Sequence, residues 1–237
     1  MRVKMEAMAT HFSKEALKFL RGLKRNNDRE WFAARKDIYE RELKAPMLAL
    51  VAEINDAMID FAPENVRAPQ KAIMRIYRDI RFSKDKRPYK IHQGAWWARH
   101  GLEKTSGGGF YFDVSGTEVT IAAGTFMPER EQLLATRRYL VEHHDEMRRL
   151  LADKKIAKLM QPIDGQRLTR APKGFAVNDP AMDLLLCKQW GVVARLPAEF
   201  ALRPTLVKDI VTHFKLAAPI VTLLNAPLIP KPRKPLF

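Results

Sequence analysis

The chain has 237 residues and a mass of 27.3 kDa, which is enough to bury a complete hydrophobic core. Hydrophobic residues make up 46% of it and charged residues 29%, a balance that excludes the fibrous and disordered classes. The net charge of +15 favours anionic partners such as nucleic acid, anionic metabolites or an acidic membrane face.

No segment predicts contact with a membrane. The longest apolar stretch near the C-terminus, residues 216–224, is far shorter than the ~20 residues that span a bilayer. The first ten residues lack the apolar run of a secretory signal. The single cysteine, Cys187, fits a reducing compartment, so we expect a cytoplasmic protein.

Helix signals dominate the first sixty residues. Phe12 and Leu17 flank Ser13 with the spacing of a hydrophobic staple around an N-cap, which predicts a first helix over residues 13–24. Asn27 and Glu30 have the spacing of a capping box and predict a second helix. Pro46 opens a third, whose apolar stripe consists of Val51, Ile54, Met58 and Phe61.

The apolar period changes to two after Pro69. Met74, Ile76, Ile80 and Phe82 predict a strand over residues 73–82 with one apolar face. Residues 109–126 predict a β-hairpin, because alternating apolar residues flank a turn at Ser115 and Gly116.

Helices return in the second half of the chain. Pro128 is predicted to be the first residue of a long helix, and Asp179 with Pro180 to begin the helix that holds residues 184–186. A short strand is expected near residues 190–194, and Pro204 is expected to begin the last helix.

These elements predict a single α+β domain over residues 11–227, since no repeat or long linker divides the chain. Its helical N-terminal third and middle are expected to pack on a mainly antiparallel sheet. Residues 1–10 are predicted to form a flexible extension, and the Pro- and Lys-rich residues 228–237 a tail.

Positive charge is concentrated in residues 67–104. This segment holds eleven Lys or Arg residues against three acidic ones, so more than half of the net charge lies in less than a fifth of the chain. On the predicted strand, Arg78 shares the apolar side, where an unpaired guanidinium is costly. We therefore expect a partner for Arg78, either a carboxylate of the fold or a bound anion.

Two interpretations of the segment stay open. One is an internal ion-pair network with a solvated turn; the other is an anion pocket, to which Arg170 and Lys173 of a later loop would also contribute. The pocket interpretation selects as ligand-binding residues Arg75, Arg78, Asp79, Arg81, Ser83, Lys84, Lys86, Lys90, Arg170 and Lys173.

Several blocks of the sequence resemble a bacterial and fungal family of conserved hypothetical proteins with a domain of unknown function. The N-terminal block is at residues 26–32 and the central, most specific one at residues 78–90; later blocks are at residues 109–111 and 170–175, with Pro128, Leu133 and Arg137 between them. The resemblance covers residues 12–227. It implies a single domain and brings no assigned activity, site or cofactor.

Other motifs add little chemistry. Residues 106–109 are glycine-rich but lack the Lys-Ser or Lys-Thr of a P-loop. His143 and His144 are adjacent on a helix and cannot face one metal ion together, so we predict neither a metal nor a cofactor. Cys187 follows three leucines and is expected to be an inert core residue.

The leading hypothesis is binding of, or catalysis on, a small phosphate- or carboxylate-bearing ligand at the Arg- and Lys-rich segment. Nothing in the sequence names a reaction type. A nucleic-acid-binding module is the first alternative, favoured by the charge but lacking a known recognition motif. The second alternative is an interaction protein whose basic patch meets an acidic partner.

Overall fold

The computed structural model describes residues 10–102 and 107–229. The predicted extension at residues 1–10 and the predicted tail at residues 228–237 therefore lie almost entirely outside the described residues. Within them, no helix is both long and apolar enough to cross a membrane.

Five α-helices precede the sheet in the described part of the chain. They are α1 (Lys14–Arg25), α2 (Arg29–Ala33), α3 (Lys36–Tyr39), α4 (Ala45–Met58) and α5 (Pro69–Ala72). Ser13 caps α1 as predicted, because its Oγ accepts a hydrogen bond from the N–H of Ala16 at 3.2 Å. The cap of α2 is Asp28, one residue after the predicted Asn27. The side chain of Asn27 instead forms hydrogen bonds with the backbone of Tyr89.

The sheet has five strands, and every neighbouring pair is antiparallel. They are β1 (His92–Ala98), β2 (Gly109–Ser115), β3 (Glu118–Thr125), β4 (Gln161–Pro162) and β5 (Trp190–Pro197). Their spatial order is β1-β2-β3-β5-β4. The predicted hairpin is confirmed as β2 and β3, and the strand expected near residues 190–194 as β5.

Four more helices complete the described fold: α6 (Arg130–Leu151), α7 (Lys154–Leu159), α8 (Met182–Leu185) and α9 (Leu206–Asn225). The prolines predicted to begin α6, α8 and α9 each precede the observed first residue by two. At α6 the reason is a reciprocal capping box, in which Gln132 Oε1 accepts the N–H of Glu129 at 2.8 Å.

One face of the sheet carries the hydrophobic core. Helices α1, α4 and α9 pack on it, and α9 crosses β2, β3 and β5. The strand residues that point to this side are buried, among them Trp97, Phe110, Phe112, Val119 and Ile121. The fold is α+β, as the sequence predicts.

The predicted strand over residues 73–82 is wrong. This segment forms only two isolated bridges, Ile73 with Ala95 and Tyr77 with Tyr89. Its first residues contact β1, where the N–H of Met74 donates to the carbonyl of Gly94 at 2.8 Å, and the backbone then turns back so that Tyr77 bridges Tyr89. The strand at this edge of the sheet is β1, which begins ten residues after Phe82, and Phe82 is exposed instead of buried.

Candidate functional site

The face of the sheet opposite the core carries two adjacent rows of side chains that cross the strands. An apolar row runs Trp96, Tyr111, Ala122 and Val193, in register from β1 to β5. A polar row beside it runs Gly94, Asp113, Thr120 and Arg195. Alternate residues of a strand point to opposite faces, so the same alternation that fills the core produces both rows.

A cavity of about 420 Å³ lies over these rows. Its walls are mostly apolar or aromatic, with a cation and a carboxylate at the edge. It is lined by Met74, Trp96, Tyr111, Thr120, Ala122, Phe126, Met127, Ile163, Asp164, Gln189, Val193 and Arg195. This size and composition are typical of sites for small molecules.

A row of glycines crosses the strands beside Trp96, on the same face of the sheet. Gly109, Gly124 and Gly191 are cross-strand partners on β2, β3 and β5. A Cβ on Gly109 would lie 2.8 Å from the nearest ring atom of Trp96, so the missing side chain leaves room for the indole. Gly124 has φ +143°, and a Cβ there would overlap the backbone of Trp190. Glycine is therefore required at this position.

Asp113 lies in the polar row and is largely buried. Burial raises its pKa, while hydrogen bonding with Tyr111, the charge of His92 and hydrogen bonding with Thr120 oppose the rise. Burial also lowers the pKa of His92. Burial and the charge of Asp113 raise the pKa of Tyr111. Perturbed groups of this kind are frequent beside ligand and catalytic sites.

Gly94 explains how the polar groups come together. A Cβ at this position would lie 3.1 Å from the Tyr111 hydroxyl oxygen and 3.2 Å from Cβ of Asp113. The absence of a side chain on β1 thus leaves room for the Tyr111 hydroxyl beside Asp113.

Arg195 supplies the positive charge of the open face. Its nearest carboxylate is Glu118, with 4.0 Å between Arg195 Nε and Glu118 Oε1, and its side chain is 65% exposed. A pair this long and exposed contributes little. The guanidinium is therefore available to an anion that enters the cavity.

The central block of the sequence forms a second feature, residues 75–90, which we call the basic loop. Arg78 finds the partner that the sequence requires, and it is a carboxylate: Nη1 lies 2.7 Å from Asp85 Oδ2. Arg87 pairs with the same oxygen at 2.7 Å. Arg81 pairs with Asp79 at 2.7 Å, and this hydrogen bond lowers the pKa of Asp79 to about 2.

Asn27, between α1 and α2, and Phe32 of α2 hold the base of the basic loop. Asn27 Nδ2 donates to the carbonyl of Tyr89, and Asn27 Oδ1 accepts the N–H of Tyr89, both at 3.0 Å. Phe32 stacks on Tyr89 with 4.1 Å between ring centroids. Within the loop, the N–H of Arg78 donates to the carbonyl of Pro88 at 2.9 Å. The N-terminal and central blocks of the sequence therefore meet at this point.

The chain matches the model of a family described as conserved hypothetical protein, DUF2461, over residues 15–223. It belongs to this family. No curated protein and no solved structure matches the chain. The family description names no activity.

The other predicted site residues of this DUF2461 protein lie in separate places. Lys86 Nζ donates to the carbonyl of Ile80 at 3.1 Å, and Lys84 is exposed on the same turn as Ser83. Burial and the charge of Arg75 lower the pKa of Lys90.

Arg170 and Lys173 are exposed and lie in the segment that follows β4 in the chain. Among the described residues, neither has an ion pair or hydrogen bond with Arg78. Their role, like that of the loop residues, stays a prediction.

Three further motifs are located as follows. Among residues 10–102 and 107–229, no three His, Cys, Asp or Glu side chains are grouped to hold a metal ion. Cys187 is half-buried, and burial raises the pKa of its thiol. Of the glycine-rich motif at residues 106–109, Ser106 lies outside the described residues, and Gly108 is bound through its backbone to Asn225.

Sequence reasoning missed the open face of the sheet. The alternation of Tyr111 and Asp113 with Phe110 and Phe112 is the signal that two polar or aromatic residues point away from the core. Arg195 could not be added in this way, because its alignment with Thr120 depends on pairing between strands 75 residues apart.

Proposed function

We propose that the protein binds a small molecule with an apolar body and a carboxylate or phosphate group, in the cavity on the open face of the sheet. The observation that carries this proposal is the juxtaposition of the two rows. A ligand lying across the strands would contact Trp96 and Val193 with its apolar part and Arg195 with its anionic group.

Guanidinium recognises carboxylate and phosphate in the same bidentate manner, so Arg195 alone does not separate the two. The aromatic and aliphatic walls favour a flat or hydrocarbon body over a bare inorganic anion. The ligand class is therefore the one that the sequence predicts, at a different location.

Arg195 is a better anion partner than the paired arginines of the basic loop for an electrostatic reason. In the loop, Arg78, Arg81 and Arg87 already hold carboxylates at 2.7 Å, and an incoming anion would have to replace them. Among residues 10–102 and 107–229, the ion pair that Arg195 would give up is the 4.0 Å contact with Glu118. An anion that binds Arg195 therefore displaces a weaker ion pair than one that binds Arg78, Arg81 or Arg87.

A thermal-shift screen tests the proposal. The probes are inorganic phosphate, benzoate and phenyl phosphate, applied to the parent protein, Arg195→Gln and Ala122→Leu. A ligand at about a hundred times its Kd stabilises the native state by about 2.7 kcal/mol, which for a chain of this size is a rise in Tm of about 5 to 10 °C. We expect such a rise with phenyl phosphate or benzoate in the parent, and its loss in both variants.

Two control variants make the result specific. Arg170→Gln removes an exposed arginine that does not line the cavity and should leave the shift unchanged. Arg78→Leu distinguishes binding at the open face from binding at the basic loop. If the shift survives in Arg195→Gln and disappears in Arg78→Leu, the ligand binds the basic loop and the open-face proposal is wrong.

A further inference from the structure

Two aromatic rings of the basic loop are exposed to solvent. Phe82 is 95% exposed and Tyr77 is 50% exposed. One exposed apolar side chain is common on any protein, but these two rings are carried by a loop with seven basic and two acidic residues. Exposed rings among cations are characteristic of surfaces that bind unpaired nucleotides.

The charge of the loop is only partly neutralised from within. Its two carboxylates are held by the three arginines at positions 78, 81 and 87. Arg75 and Lys84 have no ion pair or side-chain hydrogen bond with any residue that the structure describes. These two cations are free to contact phosphates.

The rings are presented on a preorganised frame. Asn27 holds Tyr89 at the base, the bridge between Tyr77 and Tyr89 closes the neck, and Asp85 joins Arg78 to Arg87 inside the loop. A loop that is already ordered loses less conformational entropy on binding than a mobile one.

Cations lie directly beside both rings. The guanidinium of Arg81 is 5.9 Å from the centroid of the Phe82 ring. Tyr77 borders a cavity of about 280 Å³ whose lining includes Lys36, Lys44 and Arg75. Each ring is therefore paired with positive charge, the combination that holds a base by its face and its phosphate by its charge.

We infer that the basic loop binds single-stranded nucleic acid, with Phe82 and Tyr77 stacking on bases and Arg75 and Lys84 contacting phosphates. A duplex hides the faces of its bases, so the exposed rings favour a single strand. The inference is independent of the ligand proposed for the open face, because it rests on different residues at the edge of the sheet.

Fluorescence anisotropy with a labelled oligothymidylate of about 15 bases tests the inference at low salt. We expect binding that weakens linearly with the logarithm of salt concentration, and weaker binding of a duplex of the same length. Phe82→Ala should weaken binding about tenfold or more, because stacking on one base is lost. Phe82→Tyr keeps a ring and should bind like the parent.

Control variants distinguish stacking from general attraction to a basic protein. Ile59→Ala removes another exposed apolar side chain, and Lys155→Ala removes a lysine from α7; neither should change the affinity appreciably. Lys84→Ala should lower the salt dependence by about one phosphate contact.

Three results would overturn the inference: no binding of the oligothymidylate at low salt, equal binding by Phe82→Ala and the parent, or equal binding of duplex and single strand. An anionic membrane surface is another partner that an exposed phenylalanine among cations could contact. Binding to phosphatidylserine vesicles that Phe82→Leu retains, without oligonucleotide binding, would assign the loop to that partner instead.

Discussion

Asn27→Ala tests the connection between the N-terminal helices and the basic loop. The substitution removes two hydrogen bonds of 3.0 Å and leaves the N–H and carbonyl of Tyr89 without these partners, at a residue that is 5% exposed. At about 0.5 to 1.5 kcal/mol for each bond, we expect the free energy of unfolding to fall by about 1 to 3 kcal/mol. This corresponds to a decrease in Tm of about 2 to 12 °C.

The assay is urea unfolding followed by circular dichroism, with Asn26→Ala as the matched control. The side chain of Asn26 donates one hydrogen bond, to the carbonyl of Gly22 in its own helix. Its loss should cost about half as much and leave the basic loop in place. Limited proteolysis should cleave the loop faster in Asn27→Ala than in Asn26→Ala. Equal stability of Asn27→Ala and the parent, within about 0.5 kcal/mol, would refute the reasoning.

Three further predictions concern the sheet and the loop. Gly124→Ala should lower the free energy of unfolding by more than about 3 kcal/mol, because its Cβ would overlap the backbone of β5. Gly174 also has a positive φ, +91°, but open space around it, so Gly174→Ala should cost about 1 to 2 kcal/mol. Chemical unfolding measures both. Burial raises the pKa of Asp113, so the folded protein favours the protonated carboxyl and becomes less stable relative to the unfolded chain as pH rises above about 4. Asp113→Asn should therefore raise the Tm more at about pH 8 than near pH 4. An equal change in Tm at both pH values would contradict this. The carboxyl of Asp79 should titrate with a pKa of about 2 in NMR spectra, and Arg81→Ala should return it towards its ordinary value of about 3.9.

Local signals predicted the helical part of the fold well. The cap at Ser13 and the stripe along α4 are set by neighbours in sequence, and so is the β2–β3 hairpin. Boundaries moved where a side chain had a stronger partner elsewhere. Asn27 caps no helix because it binds the backbone of Tyr89, 62 residues away.

The strand predicted over residues 73–82 shows why the site was harder to predict from the sequence than the helices. Alternation alone favours a strand, but Arg78 and Asp85 form an ion pair that closes a loop instead. The requirement that Arg78 have a partner was predictable from the cost of an unpaired guanidinium. The choice of Asp85, and the alignment of Arg195 with the hairpin, depend on tertiary pairing that no local pattern encodes.

Perturbation mapping by two-dimensional NMR with phenyl phosphate tests most directly whether the open face of the sheet is the ligand site. We expect shifts for the indole N–H of Trp96 and for the amides of Ala122, Val193 and Arg195, with no change around Arg78. Shifts confined to the basic loop, or saturable binding that leaves the open face unperturbed, would contradict it.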